Sequence, residues 1–345
     1  MNARHGTAAV AVASFLALAT ALLCSTQAQA QNAPAKPTPA AAPAKKAAKP
    51  VTPPPKPAAP SQEPDLAYGA YQQGHYLTAF SEATKRVNAS GDPKAMTLLG
   101  ELYANGLGVP KNDAEAAKWY KLAVERGDRE AMFALAMFRI EGRGAPRDLP
   151  EGARLLTEAA KRGQAAAAYD LGLLYLSGQQ VEQDAKHAAE LFQQAASAGN
   201  PEAQYALGTL YKDGRGVPQD AQKATQLMAQ AAEADLVDAE VEYAIALFNG
   251  TGIPKDETRA AALFRKAATR GSPIAQNRLA RCLASGRGVP APDPVEAVKW
   301  HLIAKAVGEN DADLDKFAAQ QTPETRAAAE KAAKPWLDMI AQSRS

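Results

Sequence analysis

"ANGLGVP" at residues 104–110 returns as "IEGRGAP" at 140–146, "KDGRGVP" at 212–218, "NGTGIP" at 249–254 and "SGRGVP" at 285–290. A Gly-x-Gly-aliphatic-Pro turn repeated along one chain is either a ligand loop or a joint between structural units. A phosphate-cradling loop needs a preceding strand, and no stretch of this chain reads as one. The spacing decides for a joint. At a period of 36 residues, units begin at Asp92, Asp128, Gln164, Asn200, Leu236 and Ser272, with no gap until the sixth. Fixed periods of that length mark stacked repeats.

Within this register the fourth position is always alanine (Ala95, Ala131, Ala167, Ala203, Ala239, Ala275). The eighth is Leu99, Leu135, Leu171, Leu207, Tyr243 or Leu279, and the ninth stays small, from Gly100 to Ala280. Apolar residues at positions 4, 8, 11 and 12 form one helical stripe. A second helix begins near position 21, with its own stripe of small and bulky residues such as Ala188, Leu191, Phe192 and Ala195. Gly127, Gly163, Gly199 and Gly271 mark where it stops. Between the helices, glycines at positions 15 and 17 tolerate positive φ and reverse the chain. The aliphatic residue at 18 (Val109, Val181, Val217, Ile253, Val289) tucks the turn inward, and proline at 19 stops the first helix from resuming. Asn112, Asp148, Asp184, Asp220 and Asp256 are placed to cap the second helix.

Residues 92–308 resemble the Sel-1-like repeat family, longer-looped relatives of tetratricopeptide repeats. The first repeat carries the resemblance on Ala95, Leu99, Gly100, Tyr103, Gly106, Gly108, Val109, Pro110, Ala116, Trp119, Tyr120 and Ala123. Three departures stand out. Gln180 and Glu182 replace glycine and proline in repeat three, Leu247 replaces tyrosine in repeat five, and repeat six gains one residue in Ala291-Pro292-Asp293. The expected fold is all-α: an α/α superhelical solenoid of helical hairpins with terminal capping helices. The repeats are 92–127, 128–163, 164–199, 200–235, 236–271 and 272–308. Residues 65–91 read as an N-terminal hairpin turning at Gln73-Gly74-His75, and residues 309–345 as C-terminal caps, with Pro323 opening a last helix that Pro335 bends. Stacked repeats need such ends to seal the core.

Ahead of these lie two segments of different composition. Residues 1–30 carry Arg4 and His5, an apolar run from Ala8 to Leu23, and Ala28-Gln29-Ala30, the order of an export signal cleaved before Gln31. An uncleaved anchor is the competing reading, disfavoured because the run is short and diluted with alanine. Leu23 argues against a lipoprotein start at Cys24, where a small residue is wanted. Residues 31–64 hold five lysines, many prolines and alanines, and Val51 as their one branched apolar residue. Such a segment cannot offset the entropy of ordering and reads as a disordered spacer. Its lysines leave the rest of the chain acidic by a few charges, although the whole is formally +2. The expected location is therefore periplasmic or secreted, with no transmembrane helix in the mature chain.

Chemistry is sparse. Once Cys24 leaves with the signal, Cys282 is alone and occupies a core position, so no internal disulfide forms. His75 falls in a turn, His187 on a solvated helix face, and His301 in the core column of Tyr120, Phe192 and Phe264. Histidines at these spacings make no helical zinc pair. No catalytic, cofactor or metal site is expected, and nothing points to nucleic acid.

One pattern exceeds background. In tetratricopeptide-like stacks the first helices line the concave side, where positions 6, 10 and 13 point. They read Phe133, Met137, Ile140; Tyr169, Leu173, Leu176; Tyr205, Thr209, Lys212; and Val241, Ile245, Phe248. An apolar strip of this kind receives a peptide or helix; packing between repeats, or cover by the C-terminal helices, is the other explanation. The resemblance implies a non-enzymatic scaffold or adaptor with a protein partner, in envelope signalling, exopolysaccharide control or host contact. A second reading is a glycan- or peptidoglycan-associated protein stacking sugars on Trp119, Trp300 and Trp336, its basic linker touching anionic envelope polymer. A third, β-lactam hydrolysis, comes from cysteine-rich relatives whose paired cysteines this chain lacks.

Overall fold

The computed structural model describes residues 65–178 and 181–343. The signal and spacer expected over residues 1–64 lie outside the described residues, as does Gln180 of the irregular third turn. The described residues form sixteen helices and no strand. A short hairpin of α1 (Leu66–Gln72) and α2 (Tyr76–Ser90) turns through Gln73-Gly74-His75. Six hairpins follow at the period read from sequence: α3 (Pro93–Asn105) with α4 (Asp113–Glu125), α5 (Arg129–Glu141) with α6 (Leu149–Lys161), and α7 (Ala165–Ser177) with α8 (Ala185–Ser197). Then come α9 (Pro201–Asp213) with α10 (Ala221–Glu233), α11 (Val237–Asn249) with α12 (Glu257–Thr269), and α13 (Pro273–Ser285) with α14 (Pro294–Ala306). The chain ends in α15 (Ala312–Ala319) and α16 (Pro323–Gln342), which runs on through Pro335 as one helix.

Each boundary has a chemical cause. At position 1, the side chains of Asp92, Asp128, Gln164, Asn200 and Ser272 accept a backbone N–H of the first turn. Leu236 cannot, and α11 starts without a side-chain cap. The expected caps of the second helix are all in place, Asn112, Asp148, Asp184, Asp220 and Asp256 each accepting from its first turn. The second helix ends in a glycine of positive φ in five repeats (Gly127, Gly163, Gly199, Gly271 and Gly308), and in Asp235 (φ 61°) in the fourth. The N–H after it reaches back to the helix, as from Asn200 to the Ala195 carbonyl at 3.1 Å.

The recurrent turn is a joint in two senses. Within a repeat, the capping residue of the second helix donates its own N–H to the carbonyl at position 12 of the first: Asn112 to Tyr103, Asp148 to Arg139 and Asp220 to Tyr211, at 2.8–2.9 Å. Between repeats, the second glycine lies on the start of the preceding repeat's second helix. A Cβ on Gly216 or Gly252 would sit 2.2 Å from the carbonyl oxygen of Ala185 or Ala221. Positive φ and lack of space both require glycine there. Arg143 and Arg287 strengthen the same junction by pairing with Asp113 and Glu257, the first residues of α4 and α12.

Helices adjacent in sequence are adjacent in space, from α1·α2 to α13·α14. Inside each hairpin a small residue at position 9 meets a large one at position 29, so Gly100 lies under Tyr120 and Gly172 under Phe192. The buried positions of the first helix are 4, 5, 8, 9 and 11, Gln204 and Leu174 being half-buried exceptions, while position 12 is half-buried in repeats one to four and buried in five and six. The expected core position 12 holds fully in repeats five and six, and position 5, not expected there, places Met96, Met132, Ala168, Glu240 and Gln276 in the interior. Fully burying each leucine of these columns contributes about 1.5–3 kcal/mol. At the end of the stack, α16 packs along α14, with Trp336 on Trp300 at 5.5 Å between ring centres.

Candidate functional site

First helices of successive repeats lie side by side and touch through residues 30 to 34 apart. The Tyr71 hydroxyl donates to Glu101 at 2.7 Å, Gln164 to Glu130 at 3.1 Å, and Lys212 pairs with Glu242 at 3.1 Å. They form one continuous face. Helical spacing puts positions 3, 7, 10 and 14 along its middle and positions 6 and 13 at its flanks. The end of the face is closed by α15: a cavity of about 560 Å³ is lined by Ile245, Phe248, Arg278, Arg281, Leu314 and Phe317, among others.

Of the residues expected to line a groove, most are half-buried and pack against the core. Phe133, Ile140, Tyr169, Leu173 and Leu176 pack half-buried on the core of repeats one to four. Tyr205, Ile245 and Phe248 pack likewise on that of repeats four to six, and Met137 is half-buried too. Tyr169 leans on Phe192 at 5.7 Å and Phe248 on Phe264 at 6.4 Å. Val241 is the exception. At 4 % exposure it is a core residue, its short side chain covered where the larger aromatics of neighbouring repeats reach the surface. Part of the apolar strip thus holds the repeats together, and the exposed edges of the other nine are what is left for a partner.

Charge on this face is uneven. Across repeats three to five its middle holds Asp170, Glu202, Asp213, Asp238 and Glu242, against Lys212, which is bound to Glu242. Burial pushes the Asp170 carboxyl up to about 7, and the Glu202 carboxylate on the neighbouring first helix adds to the shift. Repeat six reverses the sign with Arg278 and Arg281. Arg287 lies over the Phe248 ring at 4.2 Å.

Other expected residues fall into structural roles. Cys282 is free and 2 % exposed, with burial raising its thiol to about 11. His301 is buried and its Nε2 meets Asp315 at 2.8 Å. His187 keeps a side chain that is 42 % exposed, on the helix surface as expected, with its ring edge-on to Tyr175 at 4.5 Å. Trp300 is buried, and Trp119 and Trp336 are half-buried and packed against the core. Sequence reading missed Glu240, fully buried with Lys266 at 2.6 Å and Arg270 at 3.1 Å. Its signal was position 5, where Gln204, Glu240 and Gln276 break a column that is apolar in repeats one to three. Among the described residues no group of His, Cys, Asp or Glu is arranged to hold a metal ion. No helix among them is long and apolar enough to cross a membrane.

Stacked hairpins, a shared face of first helices and sealed ends define a helical-repeat solenoid of the tetratricopeptide-like class. The family model described as "Sel1 repeat" matches residues 93–128, 129–164, 165–200, 201–236, 237–272 and 273–308. The chain belongs to the Sel1 repeat family. It is similar to a Sel1 repeat protein from Oxalobacter formigenes, at 30% identity and a TM-score of 0.62, over 70% of this chain and 98% of that one. It also resembles c5321, a protective antigen present in uropathogenic Escherichia coli strains and displaying an SLR fold. There the identity is 25% and the TM-score 0.56, over 81% of this chain and 68% of that one. No curated protein matches the chain significantly. Sel1 repeat proteins are generally protein–protein interaction scaffolds.

Proposed function

We propose that the protein is a non-enzymatic, exported adaptor that receives a segment of a partner protein along its first-helix face. The observation that carries the reading is the row of half-buried aromatic and aliphatic side chains on that face: Phe133, Met137, Tyr169, Leu173, Tyr205 and Ile245. Each keeps an edge in water although the core behind it is already filled, and such apolar strips on repeat proteins receive peptides or helices. A rigid row of this kind binds without losing much conformational entropy of its own. The export signal read over residues 1–30 supports a periplasmic or extracellular adaptor, and envelope signalling or exopolysaccharide control are the roles the family resemblance offers.

The test is crosslinked capture of partners from the periplasmic fraction by the full protein and by a Tyr169→Glu/Leu173→Glu variant. The variant is expected to retain helical circular dichroism and lose the captured partner. Unchanged capture by a folded variant removes the groove assignment.

A further inference from the structure

Repeats three to five carry a set of charges that the fold does not use. Asp170, Glu202, Asp213 and Asp238 have no hydrogen-bond or ion-pair partner among the described residues, whereas Lys212, the base at the same positions, is already bound to Glu242. Asp170 is half-buried on the first helix of repeat three, one residue after Tyr169, and burial disfavours its charged form. Such a carboxylate is costly without a countercharge. Like charges stacked on a face also repel one another, which destabilises the free protein unless a ligand supplies the opposite sign. Elsewhere the chain shows that it can neutralise its acids: Asp113, Glu257, Asp311 and Glu240 each have an arginine or lysine against them. On this face four open acids lie in three successive first helices, beside the half-buried side chains of Tyr169, Leu173, Tyr205 and Ile245.

We infer that the occupant of this face is a cationic segment of a partner protein, with about one lysine or arginine per repeat between apolar side chains, laid across repeats three to five. The inference rests on the groove reading above and adds the partner's chemistry to it. The apolar side chains would cover the aromatic edges, and the basic heads would meet Asp170, Glu202 and Asp238. Electrostatic complementarity of this sort selects partners and speeds encounter more than it adds raw affinity. The same charges turn away phosphate polymers and anionic lipid. Arg278 and Arg281 end the acidic stretch and set the limit of the cationic part of the segment.

Fluorescence anisotropy with three labelled twelve-residue peptides tests this on the full chain. The peptides share one leucine- and alanine-containing pattern and carry three lysines, three glutamines or three glutamates. The lysine peptide is expected to bind at least tenfold more tightly than the glutamine peptide, and the glutamate peptide not at all. An Asp170→Asn/Glu202→Gln/Asp238→Asn variant, nearly isosteric and checked for folding by circular dichroism, should lose that tenfold preference. Raised salt should weaken the lysine peptide alone. Equal binding of all three peptides, lost on Tyr169→Glu/Leu173→Glu, overturns the charge assignment and leaves the groove standing. No binding by any peptide overturns the inference, with the groove then judged by partner capture. If replacing Lys36, Lys45, Lys46, Lys49 and Lys56 by glutamine raises peptide affinity tenfold, the occupant is residues 31–64 of the chain itself and the separate partner is wrong.

Discussion

Arg281 lays its guanidinium across the Asp311 carboxylate, with Nε at 2.6 Å from one oxygen and Nη2 at 2.9 Å from the other. Asp311 also accepts from Asn277 at 2.9 Å and caps α15 through the N–H groups of Asp313 and Leu314. One carboxylate thus ties the last regular repeat to the element that closes its open end. A solenoid whose final hairpin lacked such a seal would expose the apolar face of α13 to water.

Asp311→Asn is expected to loosen this end first. Burial alone would raise the carboxyl, but hydrogen bonds from Asn277 and Arg281 outweigh it and hold it at about 2. The unfolded value is about 3.9, so the interaction stabilises the fold by roughly 2 kcal/mol above pH 4 and is lost as pH falls through 2. Hydrogen exchange of the α15 amides at pH 6 should be about tenfold or more faster in the variant, and the gap in chemical stability should close towards pH 2. Equal exchange in both proteins at pH 6 contradicts the role given to the pair.

Two glycine-to-alanine changes separate conformational strain from crowding. Gly199 has φ +86° and nothing within 4 Å of the place an alanine methyl would take, so Gly199→Ala should cost only the left-handed penalty, about 1 kcal/mol. Gly252 has φ +68° and the Ala221 carbonyl oxygen 2.2 Å from the same place. Gly252→Ala should therefore cost at least about 3 kcal/mol, by adding overpacking to strain, and should split the unfolding transition between repeats four and five. Calorimetry of the two variants decides. A similar cost for both would mean that the second glycine serves only the turn.

The repeat, its two helices and their caps were legible because each depends on local chemistry that recurs at one spacing. Glycine at a left-handed position, aspartate before a helix and alanine beneath a bulky ring each have few substitutes. The face was legible only in part. Periodicity shows which way Tyr169 and Val241 point, but whether a side chain ends in core or in water depends on the bulk of residues in the adjacent repeat, which made Val241 interior. Position 5 was missed because its polar residues in repeats four to six look solvated, and the partners of Glu240 lie about 30 residues away on α12 and just after it. The acidic middle of the face was hidden for a related reason. Asp170, Glu202 and Asp238 are far apart in sequence and become one row only when the repeats stack.

That row has a pH signature in the free protein. Burial, with a contribution from Glu202, lifts the Asp170 carboxyl to about 7, so between about pH 4 and 7 the folded chain keeps a proton that the unfolded chain has lost. The group therefore costs nothing below pH 4, and stability falls as pH rises towards 7, where the cost becomes complete. Asp170→Asn is expected to leave stability unchanged at pH 4 and to raise it by about 1–2 kcal/mol at pH 8, a figure reduced for solvent screening at a partly open site. Urea unfolding of both proteins across this range reads the difference. A cationic peptide meeting the same carboxylate would drive off the proton, so its affinity should rise from pH 6 to 8 in the natural protein and stay flat in Asp170→Asn. A variant that is destabilised at pH 8 would show that Asp170 has a partner within the fold, and that the acidic row is not waiting for one from outside.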